Sequence, residues 1–191
     1  MTFELSKEKQ LVFGLLAAER FIYCYKLFNR QEGFGNEICM LESMQIIEDA
    51  ALNRNVDSGL VKRNIKLVDE NVPDMDDFGS VGSSLALNLA IIVYESLNMI
   101  ESYGERRLSD ISTVCTDSLD FLILEITEYD QMDFKAIASH DLMKEEINLQ
   151  KGIIGYLEKI PDVATGDIEA LRLIQNERKF DLLDLEEILY S

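Results

Sequence analysis

The side chains of this sequence that could take part in catalysis are few, and the scarcest is histidine. His140 is the single histidine among 191 residues. Zinc sites of the H-E-x-x-H type and di-iron sites built from E-x-x-H pairs need more than one imidazole, so the sequence excludes both. A serine hydrolase would need a nucleophile elbow of the G-x-S-x-G type, and the chain has none. We therefore predict no catalytic residue and no cofactor, and we expect His140 to be an exposed surface residue.

Carboxylates are the second group of side chains that could form a functional site, because their oxygen atoms are suitable ligands for Mg²⁺ and Ca²⁺. Asp76 and Asp77 follow Pro73 in an acidic segment, and Glu125 and Glu128 are spaced to share one face of a helix. The acidic segment lacks the ligand spacing of an EF-hand loop, and a chain with 36 acidic residues produces such clusters by chance. We interpret these carboxylates as helix caps and solvated charges.

Arg20 lies in the middle of an otherwise apolar helical segment near the amino terminus. A semi-buried arginine needs a carboxylate partner, because an unpaired buried charge is strongly destabilising. The sequence offers Asp49, Asp76 or Asp77 as that partner. We therefore predict a structural ion pair that braces the loop around Asp76, Asp77 and Phe78.

The net charge of −18 is the property of the composition that departs most from that of an ordinary globular protein. It argues against nucleic-acid binding, because a phosphate backbone is met by clustered Lys and Arg. Residues 117–133 and 181–191 contain no basic residue and combine acids with apolar side chains. Such runs favour a basic protein partner; the alternative is a solvated face that maintains solubility. The predicted partner-binding residues are Asp117, Asp120, Glu125, Glu128, Asp130, Asp133, Asp181, Asp184, Glu186 and Glu187.

The elements that must position these side chains are helices, because apolar residues recur at intervals of three and four along most of the chain. No linker is long enough to divide the chain into two domains. We predict one all-α domain over residues 1–191, a helical bundle of about six to eight helices. Residues 83–100 form the most apolar helix and are predicted to lie buried at its centre. Residues 73–80, which begin with a proline, are predicted to form a loop.

Cysteine usage and the amino-terminal residues favour a cytoplasmic protein. Cys24, Cys39 and Cys115 form no C-x-x-C pair and are odd in number, which is typical of reduced core cysteines. The chain begins with neither the basic start nor the apolar stretch of a signal peptide. We expect no membrane span, because no window approaches the roughly 18 apolar residues that a span requires. The sequence leaves the oligomeric state open between monomer and dimer.

One pattern of residues resembles a known family. It reads Glu19-Arg20-x-x-x-x-Tyr25-x-x-Phe28-x-x-x-x-Gly33-Phe34-Gly35, followed by Glu70-x-x-Pro73-x-x-Asp76-Asp77-Phe78. Its order and spacing resemble the bacterial domain of unknown function 416, or YjaG-like, family, over residues 5–160. The chain departs from that pattern in the second helix, where Ile47 or Glu48 replaces a tryptophan, and at Asn36, which replaces an aspartate. The resemblance implies an all-helical cytoplasmic protein with no established catalytic residue.

Three functional hypotheses remain open. The first is a non-catalytic module that binds a basic protein, of the kind found in immunity proteins that neutralise basic bacterial toxin domains. The second, which the resemblance implies by genomic association, is a signalling accessory protein associated with histidine kinases. The third is an enzyme with a carboxylate-bound metal. The extreme negative charge favours the first hypothesis.

Overall fold

The computed structural model describes residues 5–102, 106–127 and 133–176 as an all-α helical bundle. In these ranges the chain forms nine helices and no β-strand. The helices are α1 (Lys7–Glu32), α2 (Glu37–Ala51), α3 (Ser58–Asp69), α4 (Met75–Phe78), α5 (Val81–Glu101), α6 (Arg106–Ile126), α7 (Phe134–Ser139), α8 (Asp141–Leu157) and α9 (Thr165–Asn176). The predicted fold class is confirmed. The two helices that the sequence did not predict, α4 and α7, are each shorter than two turns.

The helix α5 is the centre of the bundle, as its composition predicts. It packs against α1, α2, α3 and α6, and most of its apolar side chains are buried. A capping box between Ser80 and Ser83 begins the helix. An 18-residue window of α5 has a mean hydropathy of 1.3, so length and composition alone would allow a membrane span, contrary to our expectation. Because 56% of that window is buried inside the fold, α5 matches the core helix of a soluble bundle.

The joint between α1 and α2 is held by the hydroxyl of Tyr25. This hydroxyl donates a hydrogen bond to the carbonyl of Asn71 at 2.9 Å and accepts one from the backbone N–H of Asn36 at 3.1 Å. Burial raises the pKa of Tyr25 to about 12. The joint also requires positive φ angles, which residues with a Cβ atom rarely adopt, since φ is 67° at Gly33 and 95° at Gly35. The buried tyrosine therefore fixes the path of the chain from α1 to α2 and to the end of α3.

A cluster of three phenylalanines attaches the segment 73–80 to α1. The ring of Phe78 lies 5.1 Å from that of Phe28 and 5.2 Å from that of Phe34. The predicted loop contains the single turn of α4, which begins where the Asp74 side chain accepts a hydrogen bond from the N–H of Asp76 at 2.9 Å. Edge-to-face aromatic contacts of this kind add to the burial of apolar area. Phe78 is thus anchored by aromatic contacts rather than by an ion pair.

We predict that two neighbouring glycines of the α1–α2 joint differ in their tolerance of alanine. A Cβ at Gly35 would lie 2.6 Å from the Tyr25 hydroxyl, whereas a Cβ at Gly33 would meet nothing within 4 Å. Gly33→Ala should lower the free energy of unfolding by about 1 kcal/mol, the cost of left-handed backbone. Gly35→Ala should lower it by about 3 kcal/mol, because overpacking adds to that cost. Urea unfolding of both variants tests this; equal losses would contradict it.

Candidate functional site

The side chain of Arg20 is buried among α1, α6, α8 and α9. Its guanidinium donates to the Glu146 carboxylate at 2.8 Å, to the Gln175 side-chain oxygen at 3.2 Å and to the Cys115 sulfur at 3.4 Å. The exposed fractions of Arg20 and Glu146 are 7% and 1%. Burial lowers the pKa of Arg20, but Glu146 and Cys115 more than offset it, so that this pKa is raised overall. Arg20 therefore carries its charge in the core.

The predicted partners of Arg20 were wrong. Asp49 instead pairs with a neighbouring arginine at 2.6 Å, and Asp76 and Asp77 lie exposed on α4. The reason is the position of α4, which packs against α1 at Phe28. Eight residues of helix separate Phe28 from Arg20, or about 12 Å along the axis. Arg20 does form an ion pair, as predicted, but its partner lies on α8 and not in the segment 73–80.

The Glu146 carboxylate also accepts a hydrogen bond from Gln150, one turn further along α8, at 2.8 Å. Gln150 in turn accepts one from the Ser112 hydroxyl of α6 at 2.5 Å. Each buried polar group in this series thus has the next one as a hydrogen-bond partner, which lowers the cost of burying the charge. The Nε of Arg20 is the atom of this guanidinium that lacks a partner. The described hydrogen bonds of this network connect α1 to α6, α8 and α9, and α8 to α6, so they hold these helices together.

A second arginine network lies one residue away on α1. Arg172 of α9 binds the Glu19 carboxylate through two nitrogens, at 2.9 and 2.5 Å, and also contacts the Glu48 carboxylate of α2 at 2.5 Å. The hydrogen bonds to Glu19 raise the pKa of Arg172 against the opposing effect of burial, and those to Glu48 add to the rise. Two-nitrogen contacts fix orientation as well as distance. Glu19 and Arg20 together thus attach α8 and α9 to the amino-terminal half.

The sequence carries a local signal for Glu146 that the predicted ion pairs did not use. The buried side chains of α8 include Met143, Glu146, Gln150 and Ile153, which recur at intervals of three and four. Glu146 therefore occupies a position of the apolar stripe. A charged residue at a core position needs a buried partner of opposite sign, and among the residues that the structure describes Arg20 is the other buried charged side chain. Pairing the two positions would have predicted the contact between α1 and α8.

We predict that removing Glu146 is far more damaging than removing a surface carboxylate. Glu146→Ala leaves the buried Arg20 charge uncompensated and should lower the free energy of unfolding by about 3–5 kcal/mol. The matched control is Glu70→Ala, which breaks the exposed pair between Lys66 and Glu70 at 3.6 Å. That change should cost less than about 1 kcal/mol. Denaturant unfolding measures both, and a loss at Glu146 no larger than at Glu70 would contradict the structural role.

Four of the predicted partner-binding acids and two exposed aromatic rings lie on α6 and at the start of α7, two helices that contact each other. We call this the acidic surface; it comprises Asp117, Asp120, Phe121, Glu125, Asp133 and Phe134. Asp117, Phe121 and Glu125 follow one another at intervals of four and lie on one side of α6. The exposed fraction is 41% for Phe121 and 66% for Phe134. Phe121 thus lies exposed between two acids on the same side of α6.

The acids that α6 contributes to this surface are not compensated by basic residues of the described chain. Within that part of the chain, no salt bridge involves Asp117, Asp120 or Glu125. Partial burial and, after it, the charge of Asp117 raise the pKa of Asp120. The folded state therefore holds the Asp120 proton more tightly than the unfolded chain does. Protonation of Asp120 stabilises the fold at low pH, and this stabilisation is lost as pH rises through the raised pKa of Asp120 in the folded state. The ionised surface therefore carries a repulsion that a cationic group would relieve.

Six predicted partner-binding residues lie outside the described residues. They are Glu128, Asp130, Asp181, Asp184, Glu186 and Glu187.

The histidine, the cysteines and the possible metal ligands singled out in the sequence can also be placed in the structure. His140 is half-buried rather than exposed, because its Nδ1 caps α8 by accepting a hydrogen bond from the N–H of Leu142 at 3.3 Å. Cys24, Cys39 and Cys115 are buried and form no disulfide bond with one another, as predicted. Across residues 5–102, 106–127 and 133–176, no group of three or more His, Cys, Asp and Glu side chains is arranged to hold a metal ion.

We predict that Asp117→Asn lowers the pKa of Asp120, because it removes the neighbouring negative charge. The control is Glu125→Gln, which removes a charge from the same helix at a residue that does not contribute to the shift. Carboxyl carbon chemical shifts, followed by NMR from acid to neutral pH, report the pKa of Asp120 directly. An unchanged value in Asp117→Asn, or equal effects of the two variants, would contradict the coupling.

Comparisons with known proteins agree on the fold and the family. No curated protein matches this chain. The chain is similar to the crystal structure, at 1.91 Å resolution, of a DUF416 family protein from Shewanella baltica OS155. The TM-score is 0.81 and the sequence identity 19%, with 92% of this chain and 91% of that chain covered, so the likeness concerns the fold. The family of proteins of unknown function DUF416 matches residues 3–180. The resemblance predicted from the sequence is thereby confirmed: this chain belongs to the DUF416 family.

Proposed function

We propose that this protein is a non-catalytic binding module that captures a basic protein partner through the acidic surface of α6 and α7. The observation that carries the proposal is the combination of uncompensated carboxylates with the exposed rings of Phe121 and Phe134. Carboxylates without internal partners attract a cationic protein over a distance, and aromatic rings then provide the contact area that slows dissociation. Each half of this mechanism makes a separate experimental prediction.

The electrostatic half of the proposal rests on Asp117, Asp120 and Glu125. A cationic partner would replace repulsion between Asp117 and Asp120 with attraction, which favours the complex. The net charge of −18 supports steering from outside contact distance as well, since the summed field of the protein raises the rate of encounter.

The class of partner that fits this charge best is a basic bacterial toxin domain, so the module would act as an immunity-type protein in the cytoplasm. Buried cysteines that form no disulfide bond suit a reducing compartment. The polar networks around Arg20 and Arg172 are engaged in contacts between helices, which leaves the outer surface as the part available to a partner. We therefore assign no catalytic residue.

A second candidate function is supported by a different surface. Ile38 and Leu41 on α2 and Leu60 on α3 are exposed apolar side chains, with exposed fractions of 68%, 41% and 41%. A signalling accessory protein that docks on a kinase or its regulator would use such an apolar surface. Its affinity would be nearly indifferent to salt, whereas capture through the acidic surface would weaken as salt is raised.

We predict that a triple neutralisation of the acidic surface weakens capture of the partner. The experiment is a pull-down with tagged protein from native lysate at low ionic strength, followed by elution with increasing salt and mass spectrometry. Asp117→Asn, Asp120→Asn and Glu125→Gln, combined in one chain, should release a basic protein at lower salt than the wild type. Phe121→Ala with Phe134→Ala should reduce its recovery with less effect on the salt needed for release.

The matched control removes three exposed acids elsewhere, through Glu42→Gln, Asp69→Asn and Glu169→Gln. It changes the net charge by the same amount, so it separates the acidic surface from the overall charge. Equal weakening by both triple variants would mean that general charge, and not this surface, binds the partner. Recovery of a kinase or regulator that persists at high salt, and is lost on Leu41→Ser, would favour the second candidate.

A further inference from the structure

The helices α2 and α3 carry apolar side chains on their outer side in addition to those that they bury. Ile38 and Leu41 lie one turn apart on α2, and α3 contributes Leu60. All three side chains are exposed in the described chain. A helix that only packs on a core needs a single apolar stripe, so apolar side chains on the opposite side indicate a second contact. We call this outer surface, together with Glu42 and Arg63, the α2–α3 face.

Glu42 and Arg63 lie at the same level of the two helices. The Ser43 hydroxyl donates a hydrogen bond to the side-chain oxygen of Asn64 at 3.2 Å, which aligns the residues that precede them. Burial raises the pKa of Cys39, the Glu42 charge adds to this rise and the Arg63 charge opposes it, so both charges act on the same thiol. The α2–α3 face therefore carries a charge of each sign at one height.

Neither of these two charges forms an ion pair within the described part of the chain. The salt bridges between described residues include neither Glu42 nor Arg63. Lys62 and Lys66, the other basic residues of α3, both pair with acids, at 3.4 and 3.6 Å. An exposed acid and an exposed base beside apolar side chains are complementary to a surface with the same features.

A second copy of the chain has such a surface, because the α2–α3 face is complementary to itself. The two helices run in opposite directions, since residues 52–57 link them and the Tyr25 hydroxyl binds the backbone of both Asn36 and Asn71 at their other ends. A two-fold axis parallel to the helices places α2 of one copy over α3 of the other. Glu42 of each copy then faces Arg63 of the other copy, and the pair forms twice.

The size of the face and the net charge of the protein determine how strong this contact can be. α2 and α3 contain 15 and 12 residues, so the face measures roughly 20 Å along each side. This is small for a specific interface and fits a reversible dimer rather than an obligate one. The net charge of −18 opposes association at long range. At about 0.15 M salt the Debye length is about 8 Å, so distant repulsion is screened while pairs in contact are retained.

We propose that the α2–α3 face is the interface of a reversible, two-fold symmetric homodimer. Ile38, Leu41 and Leu60 lie in the contact, and Glu42 of each copy pairs with Arg63 of the other copy. The helix α6, which carries most of the acidic surface, packs against α1, α5 and α8 and contributes nothing to this face. The inference therefore does not rest on the proposed function. It competes with the second candidate function, because the dimer covers the same apolar side chains.

Sedimentation velocity of the full-length protein, over a range of micromolar concentrations at about 0.15 M salt, tests the proposal. We expect a reversible shift from monomer to dimer as the concentration rises. Ile38→Ser should raise the dissociation constant of the dimer by about tenfold or more, because the change acts once in each copy. The matched control is Leu173→Ser on α9, which should leave the constant unchanged. The exposed fractions of Ile38 and Leu173 are 68% and 67%, so the two changes differ in place rather than in exposure.

Charge reversal tests the pairing across the interface. Glu42→Arg and Arg63→Glu should each weaken the dimer, because each change places like charges opposite one another twice. An equimolar mixture of the two variants should form a heterodimer, since both contacts between unlike chains then join opposite charges. A pair within one chain predicts no such rescue on mixing. Both residues are exposed, so the core is left intact.

Three results would overturn the proposal. A protein that stays monomeric over the whole range would leave the α2–α3 face to the second candidate function. A dimer that Ile38→Ser and Leu173→Ser weaken equally, or not at all, would use another surface. A mixture of the two charge variants that is no more dimeric than either variant alone would contradict the pairing. These experiments involve no basic partner, so their failure is distinct from failure of the proposed function.

Discussion

The buried ion pair between Arg20 and Glu146 is the interaction on which the arrangement of this bundle depends. A guanidinium in the core is tolerated only with a carboxylate at contact distance and with further hydrogen bonds around it. Here the carboxylate comes from α8, and the additional acceptors come from α6 and α9. The charge on α1 therefore selects one position for three other helices. Apolar packing alone would tolerate several registers, because it is non-directional.

The family pattern acquires a physical meaning from these contacts. Glu19 holds Arg172 of α9, and Tyr25 ties the α1–α2 joint to the end of α3. Phe28 and Phe78 bring the segment 73–80 onto α1. Each of these positions joins elements that are distant in sequence. The pattern thus specifies a structural framework.

The sequence predicted the helices well because their signals are local. Intervals between apolar residues, capping residues and glycines all act within a few positions of one another. The partner of Arg20 could not be found in the same way, because Glu146 lies 126 residues away, whereas the predicted partners all belong to the amino-terminal half. The acidic surface was found only in part: a run of charges is visible in the sequence, but the exposure of Phe134 depends on how α7 meets α6. Charge patterns thus indicate where a surface is, and packing decides which of its side chains are accessible.

The distribution of charge explains how the same protein can have a highly ordered interior and an uncompensated exterior. Its buried cations, Arg20 and the partly buried Arg172, are each matched to carboxylates within hydrogen-bond distance. On α6 the opposite holds, since Asp117 and Asp120 repel one another and form no ion pair with any described residue. Repulsion of this kind lowers stability, and a stable core allows a protein to retain it. A surface that served only solubility could intersperse lysines among its acids. Around the exposed Phe121 on α6 the charged side chains are all acids, and this concentration of one sign favours a binding role over simple solvation.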